Sequence, residues 1–214
     1  MRYTTSHPRD FTKAIVDAMD ANPVICNHVH LPVQSGSSRM LAAMQRLYTR
    51  DQYIERIAWI KNAHRNMALT TDIIVGFPGE TEADFEQTLQ LLDEVQYDSL
   101  FSFKYSPRPN TAALGMDDKI PDEEKTRRLM ILNEKQRAIQ IRRNTELIGA
   151  VEEVLVEGRH EALGQWIGRT SQNRTLNFTH PDSGGASLLG QYLHVRVTRS
   201  GPNSLAGESA ANVV

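Results

Sequence analysis

The run Asp72-Ile73-Ile74-Val75-Gly76 lacks polar–apolar alternation. A strand of that kind suits a sheet covered on both faces, the condition of parallel strands flanked by helices. Apolar or β-branched runs at Tyr3–Ser6, His28–Val33, Leu69–Gly76 and Leu100–Tyr105 supply four expected strands. Helical stripes lie between them. Phe11, Ile15 and Met19 form one. Met40, Leu41 and Met44 form another, opened by Ser37 or Ser38. Thr49 with Gln52 makes a capping box ahead of Tyr53, Ile57 and Ile60. Thr81 with Asp84 caps a helix whose face is Phe85, Leu89 and Leu92. The order β-α-β-α-β-α-β predicts a parallel sheet with crossover helices. Four such strands alone would leave apolar edges open, so the pattern reads as part of a larger, truncated α/β barrel.

Residues 106–118 read as loop, because Pro107 and Pro109 block continuation of the strand. A long helix is expected from Pro121 to about Leu147, with Asp122, Glu123 and Glu124 in its first turn. Between Lys125 and Arg143 it carries seven Lys or Arg against one acid, Glu134. After Gly149 the texture changes. Val151–Val156, Trp166–Thr170, Thr175–Phe178 and Tyr192–Thr198 are short β-rich runs separated by Gly, Asn and Ser, which predicts a small closed barrel. The expected domains are 1–146 and 147–210, with 211–214 as tail and disorder expected from Ser209.

Composition narrows the function. The chain has 214 residues, 40% of them apolar, which excludes disorder throughout. Its net charge of −2 excludes a general polycation, so any nucleic-acid contact must be local. No apolar run suits a membrane span and no export signal is visible, so a cytoplasmic protein is expected, with no membrane partner. The one cysteine, Cys26, cannot form a disulfide scaffold or by itself hold a zinc or iron–sulfur site, and it reads as a buried small residue.

Chemistry concentrates at the ends of the βα units. Gly76-Phe77-Pro78-Gly79-Glu80-Thr81 follows a strand and opens a helix, where backbone can approach a ligand; a tight βα turn explains it equally well. Asp72 is a carboxylate in an apolar strand and needs a partner. Gln34, ending a strand, and Arg46, ending a helix, offer complementary groups: an acid and an amide can grip a ribose diol, and an arginine can hold a carboxylate. His28 and His30 share a strand face but lack a third metal ligand, so they read as hydrogen-bonding residues. Phe101, Phe103 and Tyr105 read mostly as core.

Several of these segments stand together in Thr4-Thr5-Ser6-His7-Pro8, His30-Leu31-Pro32-Val33-Gln34-Ser35-Gly36-Ser37, Arg46-Leu47-Tyr48-Thr49-Arg50, Thr70 to Thr81 and Phe103 to Pro109. In that order they resemble the radical S-adenosylmethionine (SAM) methylthiotransferases, and the β domain resembles the TRAM RNA-binding domain of those enzymes. The resemblance runs from residue 2 to about 208. It implies a partial radical SAM barrel followed by a TRAM-type barrel. Gly168-Arg169-Thr170, Asn173 and Asn177-Phe178 resemble the branch that methylthiolates C2 of N6-isopentenyladenosine beside a tRNA anticodon. The threonylcarbamoyl-adenosine branch is the nearer alternative, and a stand-alone RNA-binding fragment is another.

The resemblance assigns Gln34, Arg46 and Asp72 to SAM, with weaker support for Thr5 and Ser6. Gly76 and Pro78 would shape the adenine wall. Arg169, Asn173, Arg174, Asn177 and Phe178 are the RNA-binding candidates, with phosphate contacts from the preceding basic helix. The family uses two [4Fe-4S] clusters and an electron donor. Their cysteine ligands are absent here, so no metal ligand or catalytic residue is assigned, and this chain alone is expected to be an inactive monomer.

Overall fold

The computed structural model describes residues 1–3, 7–107, 109, 111–181 and 187–210. Contacts divide the chain into a first unit, Met1–Ile25 with Val29–Arg137, and a second, Cys26–His28 with Ala138–Val214. The division falls inside a helix.

In the first unit α1 (Lys13–Ala21), α2 (Ser38–Ala43), α3 (Arg50–Lys61) and α4 (Glu82–Val95) alternate with β1 (His28–His30, of which Val29 and His30 belong to this unit), β2 (Ala68–Val75) and β3 (Ser99–Lys104). The sheet order is β1-β2-β3, and β2 pairs with β3 in parallel from Thr70 opposite Ser99 to Val75 opposite Lys104. The expected strand at Tyr3–Ser6 does not form at Tyr3, and residues 4–6 lie outside the described residues. Among the described residues the sheet therefore has three strands, not four.

Local chemistry sets the helix ends. Both expected capping boxes form, Thr49 with Gln52 at α3 and Thr81 with Asp84 at α4. Ser37 caps α2, and its hydroxyl also donates to Asp84 at 2.6 Å, so one carboxylate ties the starts of α2 and α4 together. Burial works to raise the Asp84 carboxyl, but hydrogen bonds from Arg39, Ser37 and Thr81 outweigh it and hold it far below the ordinary range. On α4 the buried stripe runs through Phe85, Thr88, Leu91, Leu92 and Val95; Leu89 is only half-buried. On α1 it runs through Val16 and Met19, with Ile15 half-buried.

The two sheet faces differ. Val29, Leu31, Val33, Thr71, Ile73 and Val75 are buried. The other face carries His30, Asp72, Ile74, Phe101 and Phe103, and there Phe101 is 59% and Phe103 51% exposed. Two expectations are corrected here: β2 is not covered on both faces along its whole length, and the two phenylalanines are surface, not core. In a parallel pair, residues in register share a face, so Phe101 and Phe103 follow Asp72 and Ile74 onto the open side.

The helix α5 (Asp122–Thr145) buries Leu132, Gln136 and Ile139. In the second unit β4 (Val151–His160), β5 (Gln165–Thr170), β6 (Thr175–Thr179), β7 (Tyr192–Ser200) and β8 (Leu205–Ser209) close a barrel of order β4-β5-β6-β8-β7. Its core holds Val154, Val156, Trp166, Leu176, Phe178, Val195, Val197 and Leu205. Gly168 is required by close approach: a Cβ there would lie 2.7 Å from the Leu155 carbonyl oxygen. The disorder expected from Ser209 is corrected at that residue, which ends β8; 211–214 lie outside the described residues. No helix among the described residues is long and apolar enough to cross a membrane.

Candidate functional site

The first unit contains a cavity of about 820 Å³. Gln34, Arg46 and Asp72, separated by 12 and 26 positions in the sequence, all line it. The neighbouring lining includes Met44, Gln45, Phe77, Phe103 and Tyr105.

Each polar residue is placed by a different device. Asp72 lies within β2, and its Oδ1 is 3.4 Å from His30 Nε2. His30 is fixed in turn by a 3.0 Å contact from Nδ1 to the Thr70 hydroxyl. The reading of His30 as a hydrogen-bonding residue is met by this chain of contacts. Gln34 lies beyond β1 instead of ending it. Its backbone N–H donates to the Asp72 backbone carbonyl at 2.8 Å, and its backbone carbonyl accepts from the Ile74 N–H at 2.9 Å. Arg46 does not end a helix either; α2 stops at Ala43. There Gln45 N–H donates to Ala42 and Arg46 N–H to Leu41, both at 2.9 Å, a Schellman closure with Gln45 in the left-handed position that glycine usually fills. Gln34, Gln45 and Leu47 have φ of 73°, 56° and 59°, so left-handed non-glycine backbone clusters around this rim.

Gly76 and Pro78 do not line the cavity; Phe77 between them does. Gly76 has φ of 74°, and a Cβ there would lie 2.4 Å from the Lys125 Cγ, so this glycine admits α5 rather than a ligand. Its N–H donates to Glu80 Oε2 at 2.7 Å, and Arg128 Nη1 of α5 reaches the same oxygen at 2.7 Å. Burial pushes the Glu80 carboxyl up against the opposing pull of Arg128 and the Gly76 amide. The Phe77 ring meets Tyr105 edge-on at 5.0 Å, and Lys125 Nζ lies 5.7 Å from the Tyr105 ring centre. One wall of the cavity is thus aromatic and braced by α5, while Gln34, Arg46 and Asp72 supply polar groups.

The sequence pattern missed Phe77, Phe103, Tyr105 and Gln45. Phe103 and Tyr105 were visible as alternate residues, but periodicity does not say which face stays open. Thr5 and Ser6 lie outside the described residues.

A cavity with an amide, a guanidinium, a carboxylate and an aromatic wall fits a nucleoside bearing a charged amino-acid group. The Tyr105 hydroxyl is buried and has no hydrogen-bond partner among the described residues. An iron–sulfur cluster does not fit the residues present. Cys26 is the sole cysteine, and no group of three His, Cys, Asp or Glu suited to a metal occurs among the described residues.

In the second unit Arg169 Nε lies 3.1 Å from Glu157, and Arg169 Nη1 lies 3.3 Å from the Asn173 side chain. Asn173 sits in a left-handed turn with φ of 69°. Arg174 Nη1 is 3.4 Å from Asn144 Oδ1, and Asn177 is half-buried on β6. Phe178 is fully buried in the barrel core and cannot stack on a base, which corrects its candidacy. The basic helix is also less available than its composition suggests. Arg127 pairs with Glu82 and Glu124, Arg128 with Glu80 and Glu124, and Lys135 with Asp93.

Residues 1–92 match the Radical SAM superfamily and residues 146–209 match the TRAM domain. The chain is 76% identical over 213 residues to the tRNA-2-methylthio-N(6)-dimethylallyladenosine synthase of Solibacter usitatus, covering 100% of this chain and 48% of that protein. The protein of the same name from Koribacter versatilis is 59% identical, over 97% of this chain and 47% of its own length. That from Geotalea uraniireducens is 47% identical, over 97% and 46%. The chain spans about half the length of these curated relatives. The chain thus joins a segment that matches the Radical SAM superfamily to one that matches the TRAM domain, and along nearly its whole length it is similar to one half of these synthases.

Proposed function

We propose that the chain is the SAM-binding and RNA-binding part of an enzyme that methylthiolates C2 of N6-isopentenyladenosine in the anticodon stem-loop of tRNA. The observation that carries this reading is the meeting of Gln34, Arg46 and Asp72 in one cavity. The names of the relatives support the substrate, and the TRAM match supports RNA as the partner.

In this reading the first unit is part of a radical SAM barrel, and its open face is the barrel's inner side. When bound, SAM supplies the methyl group and the radical chemistry that activates the adenine carbon. The Asp72 carboxylate accepts from the ribose hydroxyls and the Gln34 amide completes that grip. The Arg46 guanidinium holds the methionine carboxylate through paired hydrogen bonds. His30 keeps Asp72 oriented, and Phe77, Phe103 and Tyr105 exclude water. Arg169, Asn173, Arg174 and Asn177 contact RNA. The two [4Fe-4S] clusters and the electron donor belong to chemistry that residues outside this segment must provide, so the segment alone is inactive. A cytoplasmic location and a monomeric state complete the proposal.

The test is calorimetric titration of SAM into the chain. Asp72→Ala and Arg46→Ala should each weaken binding about ten- to hundredfold, because each removes a charged hydrogen bond. Unchanged affinity in both variants would remove these residues from the site.

A further inference from the structure

Histidines aside, the second unit has three aromatic rings. Trp166 and Phe178 are buried in the barrel core. Tyr192 is 66% exposed. Tyr192 opens β7, whose alternate residues Leu193, Val195 and Val197 pack inward on the core. Tyr192, His194 and Arg196 therefore point outward along one side of the strand, and all three are exposed. Together they offer two flat rings and one cation.

The surroundings of this strip say what it can take. In register, Glu153 stands opposite His194 and Glu208 opposite Arg196, so the strip is close to neutral and cannot attract a duplex by charge alone. Arg196 Nη1 donates to the Gly149 carbonyl at 3.0 Å, which anchors one edge of the guanidinium and leaves its other N–H groups for a ligand. Side chains two apart on a strand stand about 6.8 Å apart. That is about twice the ~3.4 Å between stacked nucleotides of one strand. Bases seated on Tyr192 and His194 must therefore be unstacked from each other, which a loop or a single strand allows and a duplex does not.

We propose that the outer side of β7 seats single-stranded RNA: Tyr192 stacks on one base, His194 on the next, and Arg196 holds an adjoining phosphate. This rests on the RNA reading of the second unit, and it gives the stacking that the buried Phe178 cannot supply to a strand outside the earlier candidates.

The experiment titrates the full chain into a labelled tRNA anticodon stem-loop at several salt concentrations, and into a blunt RNA duplex of the stem alone. Tyr192→Thr keeps a good strand former and removes the ring. It should weaken stem-loop binding about tenfold or more at every salt concentration and leave duplex binding unchanged. Tyr192→Phe, which restores the ring, should bind as the unaltered chain does. Arg196→Gln should lower the slope of log affinity against log salt by about 0.7, the share of one phosphate on a single strand. Thermal unfolding of each variant should match the unaltered chain, since the three side chains are exposed. Stem-loop affinity unchanged in Tyr192→Thr, or lost equally in Tyr192→Phe, would overturn the stacking assignment. An equal loss on duplex and stem-loop would overturn the preference for unstacked bases, and an unchanged slope in Arg196→Gln would overturn the phosphate contact. Binding that survives Tyr192→Thr but falls in Arg169→Ala would overturn this proposal and leave the RNA reading standing. No binding by the unaltered chain would overturn both.

Discussion

The two units solve the edge problem of a β-sheet in opposite ways. The barrel β4-β5-β6-β8-β7 closes on itself, so its strands pair on both sides and its inner side chains form a core. The sheet β1-β2-β3 is backed on one face and leaves Phe101 and Phe103 largely exposed on the other. The comparison teaches where each unit keeps its stability. The barrel depends on apolar packing. The sheet unit depends in addition on buried polar ties such as Glu80–Arg128 and the Asp84 cluster.

The sharpest way to break this contrast is to remove one core ring from the barrel. Phe178→Ala should destabilise it by about 3–5 kcal/mol, since a fully buried aromatic leaves a cavity. Each unit holds one of the two tryptophans, Trp59 on α3 and Trp166 in the barrel, so Trp59→Phe makes fluorescence a reporter of the barrel alone. An unfolding midpoint unmoved by Phe178→Ala would remove that ring from the stabilising core.

The corresponding cut in the sheet unit is Arg128→Met. It leaves Glu80 buried without its guanidinium and frees the Gly76 turn, at an expected cost of about 2–4 kcal/mol. Fluorescence of Trp59 in a Trp166→Phe background reads it. A stability equal to that of the unaltered chain would show that this ion pair contributes nothing net.

Acid should separate the units next. Hydrogen bonds from Arg127 and Arg128 lower Glu124 from an ordinary 4.5 to about 2, and Asp84 is also lowered. Groups with lowered pKa stabilise the fold above their unfolded value and lose that contribution as pH falls, here from about 4.5 towards about 2. Glu80 and, in the barrel, Glu152 are raised by burial, so their linkage runs the other way. The sheet unit should therefore lose stability first between about pH 4.5 and 2, read by Trp59 against Trp166. Coincident transitions would contradict this order. The smallest effect belongs to the open face: Phe103→Ser should change stability by no more than about 0.5 kcal/mol, because the ring is already half in water.

Much of this was legible in the sequence where the signal is local. The capping boxes Thr49/Gln52 and Thr81/Asp84 formed as their spacing requires, and β5 spans Gln165–Thr170 against the expected Trp166–Thr170. What escaped was whatever depends on the third dimension. Alternation in Phe101-Ser102-Phe103 shows two faces but not which is covered. The aromatic Phe178 looks the same whether it faces RNA or a barrel core. Seven cations on α5 suggest a phosphate-binding stripe, yet Arg127, Arg128 and Lys135 are engaged by Glu80, Glu82, Asp93 and, within the helix, Glu124. Gln34, Arg46 and Asp72 could be singled out as chemistry, but the end of β1 at His30 and the early end of α2 at Ala43, which deliver them to one cavity, could not.

The left-handed backbone at Gln34, Gln45 and Leu47 has a consequence for how this rim can change. At such positions glycine is the less strained choice, by roughly 1 kcal/mol each. A search for stability alone would drift towards glycine at 45 and 47, on either side of Arg46. It would exchange a rim rigid before any ligand arrives for one that must be ordered on contact, so thermostability and readiness for ligand pull these two positions in opposite directions.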